Sequence, residues 1–156
     1  MLRITTRGRY ALRAMLDLAL HQGDSPVTRE DIARRQELPA TYLAQLFAAL
    51  TRAGLVESVR GPGGGYVLGR PMEEITAGEI IRAVEGSIVP VFCVAQPARC
   101  QRSSRCTLRG FYEGLGRHIE AYLDHTTLAA LCEAERMMGQ SLEAPASSLE
   151  VSQAGE

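Results

Sequence analysis

The chain has no long hydrophobic run. None of its apolar stretches approaches the roughly 20 residues that span a membrane, so no membrane segment is expected. Its first nine residues carry three arginines, where a signal peptide would have its apolar core. Export is therefore not expected, and the sequence predicts a cytoplasmic protein. Its four cysteines are then interpreted as reduced thiols, metal ligands or redox sensors rather than as a disulfide framework.

The chain also lacks lysine. All 17 basic residues are arginine, whose planar guanidinium suits phosphates and base edges, although genomic composition also explains this usage. Residues 1–70 hold ten arginines against six acidic residues, a net charge of +4. Residues 71–156 hold seven arginines against twelve acidic residues, a net charge of −5. The N-terminal half is therefore the candidate polyanion-binding part.

Motifs of the common enzyme classes are missing. The sequence has no visible catalytic triad, phosphate-binding loop or paired-carboxylate site, so an enzyme is not expected. Apolar residues make up 46% of the chain and charged residues 22%, which are ordinary globular values. A length of 156 residues suffices for one well-cored domain, or for a small domain with an attached dimerising element.

Residues 1–86 predict a winged helix-turn-helix domain, in a mainly α fold with a small β-hairpin. Apolar residues recur at helical spacing in three segments, and Thr28 and Pro39 are typical of helix starts. Gly54 ends the third helix, and a run of glycines then separates two short strand-like segments, which predicts the hairpin called the wing. The helices are expected at about 6–21, 28–35 and 40–53, the strands at 55–59 and 66–68, and a fourth helix from Thr76 to Gly86.

The third helix and the wing are the candidate DNA-binding elements. A helix that follows a short turn and has a polar outer face fits the major groove, and glutamine pairs with base edges there. A glycine hairpin that begins with an arginine is shaped to enter a narrow minor groove. The predicted partner is a double-stranded DNA operator, and the candidate DNA-binding residues are Thr41, Tyr42, Gln45, Arg60, Gly61, Gly63 and Gly64.

The C-terminal half predicts a cysteine-containing loop over 87–106 and dimerisation helices over 107–138. The loop has little periodicity, whereas a continuous apolar stripe follows it along a helix of about five turns. Such a stripe in a small protein favours a partner helix from a second copy, so a homodimer is predicted. A last short helix is expected from Thr127 to about Met138, and residues 139–156 are expected to be disordered. The candidate interface residues are Leu108, Phe111, Leu115, Ile119 and Tyr122.

Three segments carry a resemblance to a known family. They are Thr6-Arg-Gly-Arg-Tyr10-Ala, Tyr42-Leu-Ala-Gln-Leu-Phe47 and Arg60-Gly-Pro-Gly-Gly-Gly-Tyr66. In these segments, within a match from about Leu2 to Met138, the chain resembles the bacterial iron–sulphur transcription regulators of the IscR and NsrR type. The resemblance implies a winged-helix homodimer, crossed through the long helix, whose cluster changes DNA affinity or site choice. It also implies that the cluster senses redox state, nitric oxide, iron or cluster supply.

Cys93, Cys100 and Cys106 are the candidate cluster ligands. They lie within 14 residues beside three arginines, which favour thiolates and offset the negative charge of a ligated cluster. The gaps between them are wider than structural zinc sites usually have. Cys132 shares an apolar face with Leu128 and is interpreted as a core residue.

The chain departs from the family pattern at the fourth ligand. IscR-like members have a histidine where this chain has Arg109, and NsrR-like members have an acidic residue where it has Gly8. Because neither of these fourth ligands carries over, the choice between a 2Fe-2S and a 4Fe-4S cluster stays open. Ala44 also replaces the glutamate that assembly-type regulators commonly have, so their operator preference does not carry over either. The remaining candidates for the fourth position are Glu113, His118, His125, Cys132 or an external ligand.

Two alternatives remain at this point. One is a winged-helix regulator that senses through thiol oxidation or zinc without a cluster. The other is an iron–sulphur electron carrier or assembly partner that uses the winged helix only as a scaffold. The sequence leaves open the regulated genes, the sensed signal, and the choice between a repressor, which we expect, and an activator.

Overall fold

A computed structural model describes residues 4–88 and 90–143 of the chain. Within them lie seven α-helices, one two-stranded antiparallel sheet and two single turns of 3-10 helix. The predicted fold class, mainly α with a winged helix-turn-helix, is confirmed. The elements are α1 Thr6–His21, α2 Arg29–Gln36, α3 Ala40–Arg52, β1 Val56–Val59, β2 Gly65–Leu68, α4 Ala77–Glu85, α5 Phe92–Ala95, α6 Arg109–His125 and α7 Leu128–Glu143.

Side-chain caps define the starts of the first two helices. The Thr5 hydroxyl accepts from the amides of Arg7 and Gly8 at the start of α1, and the Thr28 hydroxyl accepts from the Asp31 amide at the start of α2. The turn between α2 and α3 passes through Glu37 in the left-handed region, at φ 52°. The apolar faces of α1, α2 and α3 then meet in one core that includes the fully buried Phe47.

The wing is anchored to the helices at its base. Val56–Val59 pair antiparallel with Gly65–Leu68, and Tyr66 also forms a bridge with Val27, just before α2. The Tyr66 ring stacks on Phe47 of α3 with ring centroids 4.2 Å apart. The hairpin is therefore held against both helices of the helix-turn-helix.

The C-terminal helices are tied to the N-terminal core. The Ala77 amide donates to the Thr126 carbonyl at 2.8 Å, and the Leu128 amide donates to the Ile75 carbonyl at 2.7 Å. Leu128 and Cys132 of α7 are fully buried in the same core as α1. The prediction that Cys132 is a core residue is thus confirmed.

Two features of the C-terminal half differ from the prediction. The segment 87–106 contains α5 and 3-10 turns at Pro97–Arg99 and Ser103–Arg105, where the sequence predicted a loop of little periodicity. Helix α7 extends to Glu143, beyond the predicted end near Met138, because helical hydrogen bonding continues into the segment expected to be disordered. The rest of that predicted tail, residues 144–156, lies outside the described residues. Among the helices of residues 4–88 and 90–143, none combines the length and the hydrophobicity of a membrane span.

Candidate nucleic-acid interface and cysteine segment

Helix α3 presents a narrow polar face to solvent. Its apolar residues Leu43, Leu46 and Leu50 are fully buried, whereas Thr41 and Gln45 are exposed. Tyr42 is half-buried, and its ring meets Tyr10 of α1 edge-on with centroids 5.8 Å apart. Tyr42, a candidate DNA-binding residue, is therefore only partly exposed, because Tyr10 of α1 covers one side of it.

The wing tip requires glycine at three positions. Gly61 and Gly63 have φ values of 97° and 75°, in the region that residues with a side chain rarely adopt. A Cβ on Gly64 would lie 2.3 Å from the Val59 carbonyl oxygen, which leaves no room for any other residue. Arg60 is exposed beside this tip. The result is a thin hairpin that presents backbone and one guanidinium.

A buried carboxylate joins α1 to α2. The Asp17 side chain is fully buried and accepts two hydrogen bonds from Arg35 Nε, at 3.1 and 3.0 Å, and one from Arg35 Nη2 at 2.6 Å. Gln36 Nε2 donates to it at 3.0 Å, and Arg13 contacts the other end of Gln36. The hydrogen bonds to Asp17 raise the pKa of Arg35 above its ordinary value. Sequence reasoning missed this network, although a single acidic residue on the apolar side of a helical pattern was a signal for it.

The predicted dimer stripe is largely exposed on α6. The exposed fractions are 64% for Phe111, 73% for Tyr122, 55% for Leu108 and 38% for Leu115. Ile119 differs, because it is half-buried against the small apolar cluster of Ala77, Ile81 and Leu123 within its own chain. Beside the stripe, an apolar cavity of about 480 Å³ is lined by side chains that include Ile4, Ile81, Ile119 and Tyr122.

The three predicted cluster ligands lie on the surface segment 90–106, which we call the cysteine segment. Cys93, Cys100 and Cys106 are free thiols and half-buried, so the donor chemistry fits an iron–sulphur cluster. The three thiols are not close enough together, in the part of the chain that the structure describes, to form a metal site. Within residues 4–88 and 90–143, no three His, Cys, Asp or Glu side chains are grouped so that they could hold a metal ion.

Arg109 occupies the position where the resemblance placed a histidine ligand. Its Nε donates to Glu113 Oε1 at 2.6 Å, and its Nη1 donates to Ser103 Oγ at 3.0 Å. The hydrogen bond to Glu113, together with the nearby thiols of Cys93 and Cys106, raises the pKa of Arg109 above its ordinary value. The guanidinium therefore connects the cysteine segment to α6 as a permanent cation.

The other candidates for a fourth ligand have contacts of their own. Burial raises the pKa of the Cys132 thiol, which lies in the core. The Nδ1 atoms of His118 and His125 lie 2.8 and 2.6 Å from carbonyl oxygens one turn earlier in α6.

Gly8 stands where NsrR-like members have an acidic ligand, and a carboxylate from another element lies against it. Glu85 of α4 accepts from the amides of Thr5 and Gly8, each at 2.9 Å. A Cβ on Gly8 would lie 2.2 Å from this carboxylate oxygen. An acidic side chain at position 8 is therefore excluded while Glu85 caps α1.

A three-helix core with an anchored glycine wing and an exposed polar helix face defines a winged-helix DNA-binding regulator. The family model described as "Rrf2: Iron-dependent Transcriptional regulator" matches residues 4–134. The chain belongs to the Rrf2 family and is a DNA-binding transcription regulator of IscR-like type. The resemblance drawn from the sequence is thereby confirmed.

Individual relatives agree with this assignment. The chain is 45% identical over 130 residues to the HTH-type transcriptional regulator IscR of Yersinia pseudotuberculosis, covering 83% of this chain and 79% of the relative. Among solved structures, IscR of T. potens is 39% identical with a TM-score of 0.71, covering 88% of this chain and 90% of that one. CymR, the global cysteine regulator of B. subtilis, is 40% identical with a TM-score of 0.68, covering 86% and 98%. These relatives are transcription regulators, which confirms the prediction that the chain is not an enzyme.

Proposed function

We propose that this protein is a homodimeric regulator whose operator binding is modulated by an iron–sulphur cluster held by Cys93, Cys100 and Cys106. The observation that carries the proposal is the placement of three free, half-buried thiols on one segment between α4 and α6. Cysteine thiolates are the usual ligands of such clusters. When bound, the cluster would be a redox-active cofactor, and its oxidation or loss would change the structure of this segment.

The cysteine segment is well placed to influence DNA binding. It leaves α4, whose Glu85 caps α1, and enters α6, which is bonded back to α4 through Arg82 and Asp124 at 2.5 Å. A change in the segment would therefore reach the helix-turn-helix core through α4. We infer that α3 enters the major groove through Thr41, Tyr42 and Gln45, and that the wing enters the minor groove through Arg60, Gly61, Gly63 and Gly64.

Cluster binding requires the thiols to converge, since they are not grouped for metal binding in the described conformation. Arg109, beside Cys93 and Cys106, would offset part of the negative charge that three thiolates bring together. Whether the cluster has two or four irons depends on a fourth ligand, which Glu113, His118, His125 or an external molecule would supply.

The test is anaerobic reconstitution with ferrous iron and sulphide, followed by visible absorption. Wild-type protein should develop the absorption of a cluster, and Cys93→Ala, Cys100→Ala and Cys106→Ala should each abolish or greatly weaken it. Cys132→Ala is the matched control and should retain the spectrum, because this thiol is buried in the core. Normal spectra in all three variants would show that the ligand assignment is wrong.

A second candidate function is sensing through thiol oxidation or zinc. CymR, among the similar solved structures, is an example of a family member without a cluster. Oxidation of a single thiol needs no convergence of the three cysteines, whereas zinc or a disulfide would require them to converge as a cluster does. Wild-type protein that binds stoichiometric zinc, or forms a disulfide, and never takes up iron and sulphide would select this candidate. The electron-carrier alternative has no support among the relatives, which are transcription regulators.

A further inference from the structure

A polar groove separates the start of α2 from the wing. It has a volume of about 300 Å³, and its lining includes Arg29, Ser58, Gly64, Gly65 and Tyr66. A Cβ on Gly65 would lie 2.5 Å from the Val27 carbonyl oxygen, so the floor is backbone packed on backbone. The floor of the groove is therefore a fixed feature of the fold.

The position of this groove matters if α3 and the wing enter adjacent DNA grooves. The wing base is held to α3 by the stacking of Tyr66 on Phe47, and to the segment before α2 by the Val27 bridge. Adjacent major and minor grooves are separated by one sugar–phosphate strand. The surface between the helices and the wing must therefore face phosphates, which fix the register of a protein on the duplex.

Arg29 has unused hydrogen-bonding capacity beside this groove. Its Nε is buried and has no hydrogen-bond partner among the described residues. Its Nη2 donates to Glu30 Oε1 at 3.0 Å, and its side chain is 37% exposed. The Ser58 hydroxyl, across the groove, has no hydrogen-bond partner in the described part of the chain either.

We propose that the groove between α2 and the wing is a phosphate-binding site for the DNA backbone, with Arg29 as its cation and the Ser58 hydroxyl as a second donor. A phosphodiester offers two charged acceptor oxygens, which suit the forked donors of a guanidinium. The proposal rests on the DNA-binding mode proposed above and adds a contact that carries no sequence information.

Glu30 is an internal competitor for the same guanidinium. Its carboxylate is largely exposed, and it occupies Arg29 Nη2 in the free protein. A phosphate that approaches Arg29 must displace this carboxylate or lie beside its negative charge. Removing the charge at position 30 should therefore strengthen DNA binding, which is opposite in sign to removing Arg29.

The experiment measures full-length protein on two short duplexes across a salt series. One duplex is selected from a random-sequence pool by wild-type protein, and the other is an unrelated sequence. Arg29→Gln should weaken binding to both by about tenfold, as expected for the loss of a charged hydrogen bond. It should also make the slope of log affinity against log salt about 0.9 shallower, so that a fourfold rise in salt costs about 3.5-fold less than in wild type.

Three further variants make the result specific. Arg29→Lys should keep the wild-type salt slope while binding less tightly, because lysine keeps the charge without the fork. Glu30→Gln should bind both duplexes more tightly than wild type. Arg34→Gln is the control, since it removes one charge from an exposed site on the same helix, and it should leave the slope closer to wild type.

Equal slopes and affinities for Arg29→Gln and Arg34→Gln would overturn the proposal. A selective loss on the selected duplex alone would also overturn it, because that outcome indicates base readout. Failure of the underlying DNA-binding mode is distinguishable, since then Gln45→Ala and Arg60→Ala would leave wild-type affinity unchanged as well. Thermal unfolding of each variant establishes that the proteins compared are folded, and Glu30→Gln tests the site without removing Arg29.

Discussion

Asp17 illustrates how a single residue governs the geometry of the DNA-binding core. Its carboxylate has no access to solvent and is held by three donors from Arg35 and Gln36 at the end of α2. A buried charge that keeps all its partners holds two helices in one relative setting, whereas an isolated one is costly. Here the partners sit immediately before the turn that leads to α3.

Asp17→Ala should destabilise the protein by about 2 to 4 kcal/mol, because the variant leaves Arg35 without its carboxylate. The lower end is expected, since Arg35 is 29% exposed and can turn toward water. Urea unfolding of the variant and wild type measures this difference. Asp17→Asn keeps the shape and part of the hydrogen bonding and should lose less.

The matched control for Asp17 is Asp24→Ala, at an exposed position outside the helices. It should leave the unfolding midpoint unchanged. If Asp17→Ala behaves like this control, the buried network contributes nothing to the stability of the core.

At the scale of elements, α3 and the wing are the two proposed DNA-contacting surfaces, and Tyr66 of the wing stacks on Phe47 of α3. Helix α3 offers side chains, Thr41 and Gln45, whereas the wing offers backbone and Arg60. The two surfaces should therefore differ in what they read. Base edges in the major groove distinguish all four base pairs, and a guanidinium in the minor groove responds mainly to groove width.

Arg60→Ala should weaken operator binding by about 1 to 3 kcal/mol, whereas Gln45→Ala should relax the base preference at one position in each half-site. Fluorescence anisotropy on a set of duplexes with single base changes separates the two effects. Unchanged binding and unchanged preference in both variants would contradict the winged-helix contact assignment. Tyr42→Phe is an informative companion, because Tyr42 packs on Tyr10 and its hydroxyl alone is removed.

At the scale of the whole molecule, the exposed stripe of α6 and the adjoining apolar cavity form one continuous unpartnered surface. Helix α6 follows the cysteine segment. The turn after α6 is hydrogen-bonded to the start of α4, where the Ala77 amide donates to the Thr126 carbonyl. A second copy packed on this surface would therefore fix the spacing of two DNA-binding cores. That spacing decides which pairs of half-sites one dimer reads.

Phe111→Asp should yield monomers with much weaker operator affinity, since a charge placed on an exposed apolar stripe prevents a second copy from packing there. Sedimentation velocity measures the change in mass. Phe111 is a cleaner test than Ile119, whose half-buried side chain also supports contacts within its own chain. Arg117→Asp lies on the opposite face of α6 and should remain dimeric. A dimeric Phe111→Asp protein would remove this stripe from the interface.

Much of this protein is determined by local sequence. Helical spacing, threonine caps and the glycine run predict α1, α2, α3, α4 and the wing close to where they lie, because these signals act over four residues or fewer. The family resemblance rests on the same segments and is confirmed by the family match. The core position of Cys132 also followed from its spacing to Leu128.

The tertiary structure alone decided which side chains are available for function. Tyr42 is covered by Tyr10 and Ile119 faces α4, each through contacts that no local pattern contains. Arg109 pairs with Glu113 at the ordinary helical spacing i, i+4, but its hydrogen bond to Ser103 depends on how the preceding segment folds. Glu85, 77 positions away in the chain, accepts from the Gly8 amide and leaves no room there for a side chain. Periodicity predicts which face of a helix is apolar, but the neighbour that covers the edges of that face depends on how distant elements pack. The groove at Arg29 arises in the same way, since it exists only where the wing meets the start of α2.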